Sequence, residues 1–338
     1  MKALLFPGQG SQFVGMGRDL YERFDAARQA LDAADRELGF PLTRVMFEGP
    51  EETLRETRNA QPAILAHSLA VWALVEPAFR GARWIAAGHS LGEYSAYAAA
   101  GTFAVPDALR IVRRRGDLMY AAGIASPGTM AAVLGCELGV VEEVCGQVEG
   151  LVVPANINSP AQVVISGERP AVAAAAEALR ARAARKVVEL GVSGAFHSPL
   201  MAPAAEGLRE ALAGLAVKDA AYAVYANATA EPVLEAGAIR ASLTQQLLHP
   251  VLWDATMRRM IGLGATEFYE IGPGQVLKGL LRSIDRNLPC RTLGTAEEVQ
   301  AFLEEQWAGG EEDSPTGRGA GPQAAAPPGG QEHGELRG

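Results

Sequence analysis

Sulfur is scarce in this chain. Its 338 residues include three cysteines, Cys136, Cys145 and Cys290, an odd number whose spacing fits neither a disulfide framework nor a metal site. Cys136 and Cys145 lie among apolar neighbours and read as buried, inert thiols, so a reducing cytoplasm is the expected compartment. Histidine is equally sparse. Five residues without a close pair argue against zinc, and no metal is expected. Positive charge is in deficit: 30 Lys and Arg against 39 Asp and Glu leave a net charge of -9. Nucleic acid and anionic membranes would repel such a chain at long range, which excludes both as expected partners. Long hydrophobic runs are missing too. No stretch of about 18 uninterrupted apolar residues exists to span a bilayer. The run Met1 to Phe6 is too short for a signal peptide and reads as a buried first strand. There is no internal repeat.

What the chain does have is an ordinary globular composition, 49% hydrophobic and 20% charged, over a length that suits one large or two moderate domains. Short apolar runs alternate with helical patterns, the mark of an α/β layer fold. Lys2 to Phe6 and Trp84 to Ala87 read as strands, Asp19 to Leu38 as a helix. Ala63 to Val75 reads as another, with Pro62 in its first turn. Between 125 and 197 the order becomes β-α-β-β-α-β, which suits a small ferredoxin-like α+β unit. We expect it to interrupt a large hydrolase-like α/β domain with a parallel sheet, formed by 1–124 and 198–306. From 307 to 338 the residues are mostly Gly, Pro, Ala, Glu and Gln, and too little apolar surface remains to offset chain entropy. A disordered tail is expected there.

The chemistry begins at Gly88-His89-Ser90-Leu91-Gly92. Gly-X-Ser-X-Gly between a strand and a helix puts the serine on a tight turn, its hydroxyl beside the free amides of a helix N-terminus. A serine hydroxyl needs a base. His89 should leave the turn in another direction, His67 sits on a helix, and His333 falls in the tail. Of the two that remain, His249 beside Pro250 reads as structural. His197, in a loop opening a helix at the return to the large domain, is the candidate base. In the run Arg113-Arg114-Arg115 only Arg115 falls on the apolar stripe formed with Ala108, Ile111, Val112, Met119 and Ala122. A guanidinium facing the core needs a carboxylate partner, from the protein or from a substrate. Spacing alone leaves both open.

Several motifs in order resemble the malonyl-CoA:acyl carrier protein transacylase family of bacterial fatty acid synthesis. They are Phe6-Pro7-Gly8-Gln9-Gly10-Ser11-Gln12, Gln61-Pro62-Ala63, Gly88 to Tyr94, Arg115-Gly116, Asn156 to Pro160 leading into Gln162 to Gly167, Phe196-His197, Gln246 to Pro250 and Glu270 to Gly274. The resemblance spans residues 1 to about 290. It implies ping-pong acyl transfer through Ser90, with His197 as base and the backbone amides of Gln9 and Leu91 as oxyanion donors. It further implies Arg115 as the clamp on the malonyl carboxylate, Phe196 as a residue favouring malonyl units, and bracing of His197 from the Gln246 region. The expected partners are malonyl-CoA and acyl carrier protein. No cofactor of the chain's own is needed, since the phosphopantetheine belongs to the carrier, and a monomer is expected. One departure is His249, where family members often carry Asn before the proline. Two other readings compete: a discrete acyltransferase serving a polyketide synthase, and a serine esterase. The esterase would need an acidic triad member or the Asp-Gly of patatin-like lipases, and neither is evident.

Overall fold

Two short apolar runs make the centre of the main sheet. In the structure, a computed structural model that describes residues 1–312 apart from Ala183, β1 (Lys2–Phe6) lies parallel to β2 (Trp84–Gly88), with Phe6 opposite Gly88. Every residue of β2 is buried, as expected for a strand covered by helices on both faces. The remaining strands are β3 (Gly128–Leu134), β4 (Val152–Ser159), β5 (Gln162–Glu168), β6 (Lys186–Glu189), β7 (Val224–Tyr225), β8 (Pro232–Val233), β9 (Glu267–Ile271) and β10 (Cys290–Leu293). They form two sheets. The larger runs β10-β9-β1-β2-β7-β8 and is parallel except for the last pair. The smaller, β4-β5-β3-β6, is antiparallel and has its own core, in which Val133 and Ile165 meet Val141, Val172 and Leu179 of two covering helices. An isolated backbone bridge ties β4 to the segment between β8 and β9, outside the larger sheet: Ile157 N–H donates to Val251 O at 2.9 Å, and Val251 N–H to Ala155 O at 2.8 Å.

Three boundaries differ from expectation. The helix anticipated over Asp19 to Leu38 is two, Arg18–Arg23 and Asp25–Leu38, because Phe24 adopts extended backbone between them. The helix anticipated from Ala63 runs from Thr57 to Val75, which leaves Pro62 in its interior. Proline there frees the carbonyl four residues back, and Arg113 Nη1 donates to that carbonyl, Arg58 O, at 3.2 Å. Arg113, expected on a solvated face, is thus drawn inward. The third difference lies at the C-terminus. Residues 307–312, expected in a disordered tail, continue the helix Ala296–Glu312, since a helix anchored by buried Val299 and Phe302 propagates more easily than it nucleates. The rest of the anticipated tail, 313–338 with His333, lies outside the described residues.

By length and composition the segment Thr57–Phe79 could cross a membrane, although no uninterrupted apolar run predicted it. Here it is a core element, its residues from Ala63 to Val71 buried among other helices.

Candidate active site

Because β1 and β2 are neighbours and parallel, their carboxyl ends deliver two loops to one place, the position at which α/β sheets bind ligands. From β1 comes Pro7 to Gln12. From β2 comes the turn His89-Ser90-Leu91, which leads into the helix Gly92–Ala99. The flanking glycines are required by contact. A Cβ on Gly88 would lie 1.9 Å from the carbonyl of Gly92, and one on Gly92 would lie 2.0 Å from Phe6 O. With no side chain at either position, the helix closes onto both strands and the turn is forced tight. Ser90 consequently has φ of 51°, a left-handed conformation costly for a residue with a Cβ. His197 shares this feature at φ 57°.

The residues singled out in the sequence converge here. Ser90 Oγ is 2.8 Å from His197 Nε2. The other ring nitrogen, Nδ1, is 2.8 Å from the backbone oxygen of Gln246. A carbonyl only accepts, so Nδ1 carries the proton and Nε2 is left as the acceptor for the Ser90 hydroxyl. Burial first, and the charge of Arg115 second, push the His197 pKa down to about 3. The imidazole is therefore neutral at pH 7. The contact with Gln246 is made through its main chain, not its side chain.

Arg115 is buried, with 1% of its surface exposed. Its Nη1 donates to Gln61 Oε1 at 2.6 Å, and its Nη2 to Gln246 Oε1 at 2.9 Å and to Ser90 Oγ at 3.2 Å. The guanidinium lies over the ring of Tyr94, 5.4 Å from the centroid. Gln9 is held by its side chain, whose Nε2 donates to Thr57 Oγ1 at 3.1 Å. Among the described residues, neither the Gln9 nor the Leu91 backbone N–H has an acceptor within the protein. Phe196 lines a cleft of about 310 Å³ along with Met119, Met130, Leu190 and Val192, and Ser90, His197 and Arg115 open into it.

The other described histidines give no side-chain hydrogen bond to Ser90 Oγ. His89 is half-buried in the cleft wall, its Nε2 2.8 Å from Asn158 Oδ1. His249 is exposed, and its Nδ1 meets Gln245 O at 2.8 Å. His67 is fully buried on the long helix, and neither of its ring nitrogens has a partner.

Two residues of the site escaped sequence reasoning. Asn227, just after β7, accepts the Ser90 N–H on its Oδ1 at 2.6 Å and donates from Nδ2 to Gly88 O at 2.7 Å, so it straps the strained turn from both sides. Glu93, in the first turn of the following helix, accepts from Asn227 N–H at 3.0 Å and from Gln246 Nε2 at 2.7 Å. For Asn227 the sequence held no signal, since the two-residue β7 that precedes it leaves no pattern. For Glu93 the signal was an acidic residue on a helix otherwise made of small and aromatic ones.

The family model described as the acyl transferase domain matches residues 3–304. The malonyl CoA-acyl carrier protein transacylase of Bacillus subtilis is 43% identical over 310 residues, 89% of this chain and 96% of that protein. Among solved structures, the acyl-carrier-protein-S-malonyltransferase of Bartonella henselae superposes with a TM-score of 0.87 at 42% identity, over 90% of this chain and 99% of that one. A malonyl-transacylase solved in complex with its type II polyketide synthase acyl-carrier protein also superposes with a TM-score of 0.87, at 38% identity over the same shares of the two chains.

Proposed function

The chain belongs to the acyl transferase domain family, among its malonyl CoA-acyl carrier protein transacylases, and from that premise we propose that it moves malonyl from malonyl-CoA to the phosphopantetheine thiol of acyl carrier protein in fatty acid biosynthesis. One observation carries the reading. A nucleophile, a neutral base and a buried guanidinium meet at a single oxygen, Ser90 Oγ. Ser90 Oγ attacks the thioester carbonyl carbon while its proton passes to His197 Nε2. The carbonyl oxygen becomes an oxyanion and takes the free N–H groups of Gln9 and Leu91, which are fixed in place before the charge develops. As the tetrahedral intermediate collapses, the carbon–sulfur bond breaks and the CoA sulfur takes the proton from His197, leaving malonyl-Ser90. The carrier's thiol then repeats these steps in reverse and regenerates the hydroxyl.

Arg115 binds the distal carboxylate of malonyl by two parallel hydrogen bonds, and Phe196 closes the wall against bulkier acyl units. This chemistry needs no resident cofactor or metal. The 125–197 unit reads as a ferredoxin-like insertion, and the six-stranded layer as a hydrolase-like core. A cytoplasmic monomer fits the reading.

A second reading changes only the recipient. The similarity to a transacylase working on a type II polyketide carrier admits such a carrier here. Intact mass measurement after incubation with malonyl-CoA tests the shared chemistry. Wild type should gain a malonyl adduct that Ser90→Ala lacks, and an adduct surviving in Ser90→Ala would overturn the mechanism. Arg115→Ala should lose malonyl transfer by roughly 100-fold or more while retaining uncharged acyl groups. Purified carriers of the two kinds, assayed side by side, separate the recipients.

A further inference from the structure

Arg115 is a buried cation whose hydrogen bonds go to Gln61, Gln246 and Ser90, none of them a carboxylate. Unbalanced, such a charge would be strongly destabilising. The nearest compensation is one amide away. Gln246 gives its Nε2 to Glu93 Oε2 at 2.7 Å and to Ser90 O at 2.9 Å, which turns its Oε1 toward Arg115 Nη2 at 2.9 Å. Glu93 is completely buried. Its Oε2 also fixes the Asn227 backbone N–H, and Asn227 is the strap on the Ser90 turn. Its Oε1 has no partner.

We propose that Glu93 is a positioning residue: through the Gln246 amide it balances the charge of Arg115 and points the guanidinium at the cleft, so that malonyl acceptance depends on a side chain that never touches the acyl group. This rests on the malonyl reading above.

Geometry explains why an amide stands between the two charges. A carboxylate paired directly with Arg115 would occupy the guanidinium edge that the malonyl carboxylate needs. One amide removed, Glu93 supplies charge but leaves an Nη2 proton facing Ser90 Oγ. It also sets the amide's polarity. Without Glu93 Oε2, its shortest acceptor, the Gln246 NH2 group keeps only Ser90 O at 2.9 Å and Asn227 Oδ1 at 3.3 Å to hold it turned away from Arg115, and an NH2 facing the guanidinium would displace it. The pKa of Glu93 is raised to about 7, mainly by burial, while Arg115 and the two donors hold it down. These partners favour the ionised form that the balance with Arg115 requires.

Glu93→Gln tests the idea, with the rates of Ser90 acylation by malonyl-CoA and acetyl-CoA as the readout. We expect the malonyl-to-acetyl ratio to fall by about tenfold or more, chiefly through KM for malonyl-CoA. An unchanged ratio overturns the proposal. Should Glu93→Gln not fold, Arg115→Ala and the double variant Arg115→Ala/Glu93→Gln decide. The single variant strands a buried carboxylate, so the double variant should unfold at the higher temperature, and equal or lower Tm overturns the pairing. A wild-type enzyme showing no preference for malonyl would instead defeat the malonyl reading, and the Tm comparison would still test the pairing.

Discussion

Ser90 is held by backbone as much as by side chains. Its φ of 51° is kept from relaxing by Asn227, which bonds the residue itself and the strand end before it. Asn227→Ala removes both bonds and leaves the part-buried Ser90 N–H and the buried Gly88 carbonyl without these partners; the carbonyl alone is worth about 1–3 kcal/mol. The expected outcome is a lower Tm and a kcat reduced by roughly 10-fold or more, with KM for malonyl-CoA nearly unchanged, because the nucleophile loses alignment while Arg115 keeps its own contacts. Steady-state kinetics on the purified variant checks this, and a change confined to KM would refute the strap. Ser90, His197 and Arg115 were legible in the sequence because each stood in a local pattern: a glycine bracket, a loop at a domain junction, an apolar stripe. Asn227 and Glu93 were not. Their roles arise from contacts across more than 100 residues of chain, and nothing in their immediate neighbours encodes that meeting.

At the scale of elements, the long helix Thr57–Val75 shows where periodicity misleads. Its first turns were hidden by Pro62, a residue that ordinarily marks a start, and the compensating donor, Arg113, belongs to a different helix. Strands were read more reliably. β1 and β2 are buried on all sides and therefore appear as unbroken apolar runs, whereas the two-residue β7 leaves no pattern to detect. The same helix carries His67, whose pKa burial pushes down to about 4. A histidine with a depressed folded-state value contributes stability that is complete above its unfolded value, near 6.5, and lost as pH falls through the folded one. For His67 the loss between pH 6.5 and 4 is roughly 3 kcal/mol. Glu93 and Glu270, both raised to about 7, act in the opposite sense and cost stability as pH rises from 4.5 toward 7. His67→Leu isolates the histidine from them. The urea midpoint should fall less between pH 7 and pH 4.5 in the variant than in wild type, and equal falls would show that His67 is not the group responsible.

The molecule as a whole lines its cleft from both sheets' sides, and among the described residues an isolated bridge at Val251 ties the smaller sheet by backbone to the larger body. Ser90, Leu91 and Arg115 come from the larger body, and Met130 and Asn156 from the smaller sheet. The shape of the cleft therefore depends on how firmly the sheets are joined. Val251→Pro deletes the N–H that Val251 gives to Ala155. Faster hydrogen exchange is expected over 152–168, with KM for malonyl-CoA raised by about threefold or more and fluorophosphonate labelling of Ser90 preserved. Loss of labelling would mean that the bridge supports the nucleophile itself. The β-α-β-β-α-β order departs from the surrounding pattern and is what suggests a second unit from 125; the antiparallel sheet starts at Gly128. The sequence did not disclose the bridge, which pairs Asn156 with a residue 95 positions further along the chain.

Both members of the Ser90–His197 pair sit in left-handed backbone, while Ala230 is the only other non-glycine residue to do so among those described. Such a conformation costs about 1–3 kcal/mol per residue, and the rest of the fold must sustain it. Activity and durability are consequently set against each other at these two positions. A chain with glycine at 90 would be inert yet slower to unfold on heating, so variants gathered for heat resistance alone would drift toward losing the reaction.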